Sequence, residues 1–411
     1  MPLPQRKSMR LILGMMLAEI LSMSGFSIFA ATLVEFSRLW GLSPTDAGWI
    51  SSAYYIGYVL AVPLLVGLTD RIDSKKIYRI GSLIGVVSGV GFAFLAEGFK
   101  SALLFRLIAG VSLAGTYMPG LRMISERLSG DTRLRAVPYY TSSFGVGVSM
   151  SFLLAGWIEQ VADWRTAFLV SGLCSVIAIV LSEIASAGVP KAPTQTVDAP
   201  ARHPLDLRPV FANRDALGYI LAYCGHCWEL FALRAWLPAF LLFAWTRSRS
   251  GDPGSAVTHW ATLIVLIGVP ASIIGAEVAT QRGRKKMIVW ITTASVVLGL
   301  ASALAGSISF AVAVAALFAY NFAATADSGA LTTGALAAAR TGEEGATLAV
   351  HSIIGFLGGV IGPLIVGFGL DKGGGIAQQQ AWYLGFLFMA AGSVLAAVAI
   401  SLLQTRRGTP E

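Results

Sequence analysis

Charge is what this sequence has least of. Asp, Glu, Lys and Arg make up 13% of its 411 residues, about half the ~25% of a soluble domain. Cysteine is scarce too: Cys174, Cys224 and Cys227 are the three present. All three fall inside apolar runs, which excludes a disulfide framework. No nucleophile stands at a sensible spacing from a base, and no ligand set recurs. The chain therefore reads as a non-enzyme with no cofactor and no resident metal. Its net charge of +8 is split among short loops and forms no aromatic-studded basic face, which excludes nucleic acid as a partner.

What is present is apolar length. Hydrophobic residues make up 55% of the chain, with 45 glycines and a mean hydropathy of +0.70. Apolar segments of roughly 20 residues recur, the length a helix needs to cross a hydrocarbon core of about 30 Å. The spacing predicts spans at 11–34, 46–69, 78–96, 101–125, 134–157 and 165–186, then 215–245, 257–281, 286–306, 308–338, 346–370 and 380–403. This is an all-α polytopic membrane protein with twelve transmembrane helices in two six-helix bundles. The runs are continuous and do not alternate, which disfavours a barrel, and lipid cannot satisfy the edges of an open sheet. Residues 188–214 are polar and hold Pro190, Pro193, Pro200, Pro204 and Pro209. That composition marks a linker between a bundle at 1–187 and a bundle at 215–411.

Most Lys and Arg lie on the N-terminal side of these spans, which places both termini and the linker in the cytoplasm of a bacterial-type inner membrane. Arg6, Lys7 and Arg10 precede the first run in the manner of a signal peptide. The run continues past Phe29 without a small-residue cleavage site, so it is expected to be a retained first helix.

The two halves repeat. The charged stretch Asp70, Arg71, Ile72, Asp73, Ser74, Lys75, Lys76 has an echo in Arg282, Gly283, Arg284, Lys285, Lys286 about 210 residues later. At that offset Glu19 falls on Glu229, Ser142 on Ser352, Gly145 on Gly355 and Leu121 on Leu331. Twelve spans, a central linker and a charged loop after the second and eighth spans resemble the major facilitator superfamily of transporters. Its loop signature, G-x-L-A-D-R-x-G-R-K, is matched at Leu68, Asp70, Arg71, Lys75 and Lys76, with Asp73 at the expected glycine and Gly67 one place late. The second copy keeps Gly283, Arg284 and Lys285 but has Thr280 in place of the Asp. Arg106 with Gly110, and Trp164 with Arg165 and Phe168, extend the likeness. The resemblance implies that Asp70, Arg71, Lys75 and Lys76 form a conformational latch that stabilises an outward-facing state.

Several polar residues lie at membrane depth, where an ionised side chain costs about 2.5–3.5 kcal/mol even on the lenient insertion scale. Glu19 in span 1, Glu229 in span 7 and Asp327 in span 10 are candidates for proton coupling. The densest cluster runs Tyr223, Cys224, Gly225, His226, Cys227, Trp228, Glu229, then Arg234. His226 and Glu229 are three apart on one helical face. Arg106 cannot shed its proton and must pair with a carboxylate such as Glu19, a carbonyl or a substrate anion. His226, Arg234, Arg106, Tyr117 and Trp228 are the substrate-binding candidates.

The expected function is secondary active transport of a small organic or inorganic anion by alternating access, proton-coupled in symport or antiport. The partners are substrate, protons and the bilayer, and the protein is expected to be monomeric. The alternative is a multidrug/proton antiporter with a cavity lined by Trp228, Trp236, Phe231, Tyr54, Tyr55 and Tyr117. Span 5 has no proline after Pro138, and Gly362-Pro363 lies in span 11 instead, which departs from the drug-antiporter pattern. A soft-metal path through Cys224, His226 and Cys227 has suitable donors, but no second such cluster stands in the first half. The Cys-Gly-His-Cys run lies within a span and lacks the exposure of a redox dithiol. A non-transporting receptor would have no appended soluble domain.

Overall fold

The computed structural model describes residues 5–69, 71–191 and 207–404. Asp70, the first residue of the expected latch, and Pro193, Pro200 and Pro204 of the expected linker lie outside them. Among the described residues there are helices and no strands. The helices are α1 (Gln5–Ser22), α2 (Ile28–Ala31), α3 (Leu33–Trp40), α4 (Pro44–Leu68), α5 (Ser74–Leu95), α6 (Phe99–Ser125), α7 (Gly130–Val161) and α8 (Trp164–Ser186). They continue as α9 (Arg208–Phe211), α10 (Arg214–Ser248), α11 (Ala256–Leu266), α12 (Gly268–Arg282), α13 (Arg284–Ala305), α14 (Phe310–Ala326), α15 (Ser328–Ala338), α16 (Glu344–Lys372) and α17 (Gln379–Leu403). Among the described residues, eleven helical stretches are long and apolar enough to cross a membrane. With α1, whose 18 residues carry Arg6, Lys7, Arg10 and Glu19, they make twelve.

Local chemistry sets many of the ends. Ser43 and Asp46 form a capping box at the start of α4, with Pro44 in the first turn. Asp163, Asn213 and Ser309 cap α8, α10 and α14. Gly41, at φ 62°, turns the chain out of α3.

The chain divides into two compact units, Met1–Thr196 with Asp252–Leu266, and Val197–Gly251 with Ile267–Glu411. In the first, α4 and α6 meet almost backbone to backbone. A Cβ on Gly110 would stand 1.8 Å from the Tyr54 carbonyl oxygen, and one on Gly57 would stand 2.0 Å from that of Leu107. Small residues permit the approach, because helices in lipid associate through packing rather than through expulsion of water. α11 packs on α7, where the Ser149 hydroxyl donates to the Thr262 carbonyl at 2.6 Å. In the second unit α10 is the central helix, packed against α14, α15, α16 and α17.

Three expected spans are broken. The span at 11–34 is interrupted between α1 and α2, where Met23–Ser27 run as turns. The backbone groups released there find side chains from other helices. Ser151 Oγ donates to the Ser24 carbonyl at 2.6 Å and accepts from the Ser27 amide at 2.9 Å. Arg106 donates to the carbonyls of Gly25 and Phe26, each at 3.2 Å. The span at 257–281 breaks at Ile267, between α11 and α12, and the span at 308–338 breaks at Asp327, between α14 and α15. Asp is a poor mid-helix residue because its side chain competes for local hydrogen bonds. Here the carboxylate leaves its own backbone and reaches α10.

Gly110→Ala should lower the stability of the purified protein by ~1–3 kcal/mol through overpacking. Gly67→Ala, at an exposed position with nothing within 4 Å of the added methyl, should change it by less than ~0.5 kcal/mol. Thermal melting of the two variants beside the wild type checks this. Equal melting would contradict the tight α4–α6 contact.

Candidate functional site

Each unit carries one glutamate at the same place in the repeat, and the two are treated differently. In the first unit Glu19 is completely buried on α1. The Tyr140 hydroxyl from α7 donates to Glu19 Oε2 at 3.1 Å and also lies 3.0 Å from the Tyr117 carbonyl. Tyr117 and Tyr140 stack, with ring centroids 6.0 Å apart. Glu19 Oε1 is buried and has no hydrogen-bond partner.

In the second unit Glu229 on α10 is 2% exposed. One of its oxygens accepts from Ser295 of α13 and Tyr320 of α14, both at 3.0 Å, and the other accepts from Ser393 of α17. Its acceptor capacity is well used on both oxygens, as a buried carboxyl requires.

Arg106 does not pair with Glu19. Among the described residues no carboxylate lies within 4.0 Å of its guanidinium. The group bonds the Gly25 and Phe26 carbonyls and sits 4.6 Å above the Tyr54 ring. The arginine in span 4 thus braces the interruption of span 1.

The dense cluster on α10 disperses to different neighbours. His226 Nδ1 lies 2.7 Å from Asp327 Oδ1, and both side chains are buried. Tyr223 stacks on His226 at 5.5 Å and on His351 of α16 at 4.0 Å. His351 Nε2 is 3.3 Å from the Thr332 hydroxyl, while its Nδ1 is buried without a partner. Trp228 donates its indole N–H to the Phe388 carbonyl at 3.0 Å. Arg234 lies over the Phe231 ring at 5.6 Å. His226 and Asp327 are therefore brought together, and Glu229 and Trp228 are directed elsewhere. His351 is a member that sequence reasoning missed. Its one signal was a histidine inside an apolar, glycine-rich span.

At the end of the first unit where α5 begins, the charges form a network. Lys75 and Arg79 both pair with Glu183 of α8 at 2.5 Å, while Arg71 and Lys76 are exposed. Asp73 caps α5 through the Lys75 amide at 2.9 Å. Lys191 lies 3.6 Å from Asp73 and 3.0 Å from Glu126, and Arg127 lies 3.8 Å from Asp73. Arg122 bonds Glu126 and the Thr69 hydroxyl, both at 2.6 Å. Partial burial pushes the Asp73 carboxyl up, but the Lys75 amide and the charges of Lys191 and Arg127 outweigh it and hold the group below its usual range. Glu126 is likewise pushed up by burial and brought below its usual range by Arg122, Lys191 and Ser74.

Residues 15–363 match the family model described as Major Facilitator Superfamily. The chain is 24% identical to the niacin transporter NiaP of Acinetobacter baylyi, over 63% of this chain and 64% of that protein. It is 24% identical to a D-galactonate transporter of Escherichia coli, over 88% and 87% of the two chains. It spans less than two thirds of the length of NiaP and of a Bacillus subtilis niacin/nicotinamide relative, of which 63% is covered. In fold it is similar to a bacterial homologue of the human lysosomal transporter Spinster, with a TM-score of 0.79, 14% identity and full coverage of both chains. It is similar also to the nucleoside transporter NupG, with a TM-score of 0.74, 16% identity and coverage of 97% and 100%.

Lys191→Met should destabilise the protein at neutral pH and leave it unchanged in acid. A carboxylate held below its usual range adds stability that is complete above the unfolded value of about 4 and disappears as pH falls through the folded one. The gap in melting temperature between variant and wild type should therefore close below about pH 4. A gap that persists there would show that Lys191 acts through packing.

Proposed function

The chain belongs to the Major Facilitator Superfamily, and from that premise we propose that it is a secondary transporter that moves a small organic anion by alternating access, coupled to protons. The observation that carries the coupling is the unequal treatment of the paired glutamates. Glu229 has three hydroxyl donors and reads as a structural acid. Glu19 has one donor and an orphaned, buried oxygen. A buried carboxyl oxygen without a donor is costly, and it is met only when water, a donor or a proton reaches it. That is the property a proton carrier needs.

The class of cargo rests on two supports. Niacin and D-galactonate, the compounds named for two relatives, are both carboxylates at neutral pH. His226 and Arg234 on α10 supply donors and positive charge at membrane depth, with Asp327 as a second protonatable group bonded to His226. The efflux reading draws less support, because Trp228 and Trp236 spend their indole N–H groups on the carbonyls of Phe388 and Pro363. We further propose the inner membrane as the location, with both termini cytoplasmic, and a chain organised as bundles 1–187 and 215–411 around a linker at 188–214.

Purified protein in liposomes with an imposed pH gradient tests this with nicotinate, galactonate, a nucleoside and a cationic dye. Gradient-driven movement of a carboxylate is expected, reduced at least about tenfold in Glu19→Gln while gradient-free exchange persists. Glu229→Gln should keep the gradient response. Wild-type transport that ignores the gradient, or gradient-driven uptake in Glu19→Gln, would sink the coupling proposal.

A further inference from the structure

Inside the first unit a cavity of about 30 Å³ opens beside Arg106, larger than the ~10–15 Å³ that one water requires. Five serines face it: Ser22 of α1, Ser88 of α5, Ser112 of α6, and Ser171 and Ser175 of α8. Arg106 is 5% exposed, its two terminal nitrogens serve the carbonyls of the span-1 break, and its Nε–H has no partner. The guanidinium is charged at every accessible pH. Two carbonyl dipoles and the face of Tyr54 offset part of that charge, but among the described residues no carboxylate lies within 4.0 Å to compensate the rest.

We propose that this cavity is a binding site for a small monovalent anion of the halide class, held by the Arg106 Nε–H and by serine hydroxyls. The alternatives fail on charge or size. A cation would be repelled by the guanidinium, and a water molecule would satisfy Nε while leaving the charge uncompensated. An organic acid of the transported class is too large for 30 Å³, so the site is separate from the cargo and does not depend on its identity.

The serines divide into two groups. Ser88 donates to the Phe105 carbonyl and Ser112 to the Gly81 carbonyl, both at 2.8 Å, and so tie α5 to α6. Ser22, Ser171 and Ser175 donate one turn back along their own helices, to Ala18, Phe168 and Ser171. A hydroxyl exchanges such a bond by rotating about Cβ–Oγ, so these three can turn their protons toward an anion beside Arg106. A bound halide would then join α1, α6 and α8 at one point.

The test is the melting of purified protein in sodium methanesulfonate, which carries no carboxylate, as sodium bromide replaces it at constant ionic strength. A saturable rise of a few degrees is expected, as mass action requires of a ligand bound by the folded state. Gly85→Ala should abolish the rise, because its added Cβ would stand 2.7 Å from Ser112 Oγ and 2.9 Å from Ser175 Oγ, within the serine lining of the cavity. Should that variant fail to fold, anomalous diffraction from bromide-soaked wild-type crystals decides, with a peak expected beside Arg106 Nε. Equal melting in methanesulfonate and bromide, a response retained in Gly85→Ala, or no bromide peak at Arg106 would each overturn the proposal.

Discussion

A hydrocarbon environment offers no hydrogen bonds, so any backbone group released from a helix there must be met by the protein itself. The interruption of span 1 is where that constraint bears hardest. Five residues, Met23–Ser27, leave the helix only four positions after Glu19, and the arrangement persists because Ser151 and Arg106 take up the released groups. The close α4–α6 contact at Gly57 and Gly110 holds the backbone that carries Arg106. The brace, the glycine contact and the cavity beside them therefore form one connected structure.

The same constraint explains why an internally repeated chain need not be functionally symmetric. Duplication places Glu19 and Glu229 at equivalent points, yet their neighbours differ. Three hydroxyls converge on Glu229, and one tyrosine reaches Glu19. A buried acid is stable in either setting, but with few donors its preferred form changes when its surroundings do. Similarly, Lys75 pairs with Glu183, whereas its repeat partner Lys285 donates to the Ser401 and Gln404 carbonyls at the end of α17. One copy is an ion pair and the other a helix-end contact.

Much of this was legible in the sequence, for identifiable reasons. Hydropathy over some 20 residues located the spans, and the cost of charge in lipid singled out Glu19, Glu229, Arg106 and Asp327. The breaks were not legible, because Met23–Ser27 and Ile267 stay apolar or small and hydropathy does not register the backbone. Arg106 was read as needing a carboxylate, a carbonyl or a substrate, and sequence could not choose among them. Only the fold brings Gly25 and Phe26 to it. The cluster on α10 looked like one polar face, yet a helix with neighbours on every side sends each residue to a different one. His351 escaped notice because no charged residue adjoins it within its span.

The ring of hydroxyls around Glu229 also bears on how the chain is made. The acid enters the membrane with α10, early in the second half, but its donors come from α13, α14 and α17. Ser393 sits in α17, the last of these three helices to be synthesised. Until the ribosome has released α17, one oxygen of this carboxyl lacks its donor. The second unit therefore cannot settle helix by helix as each emerges, and this carboxyl is fully met only once α17 has joined the others.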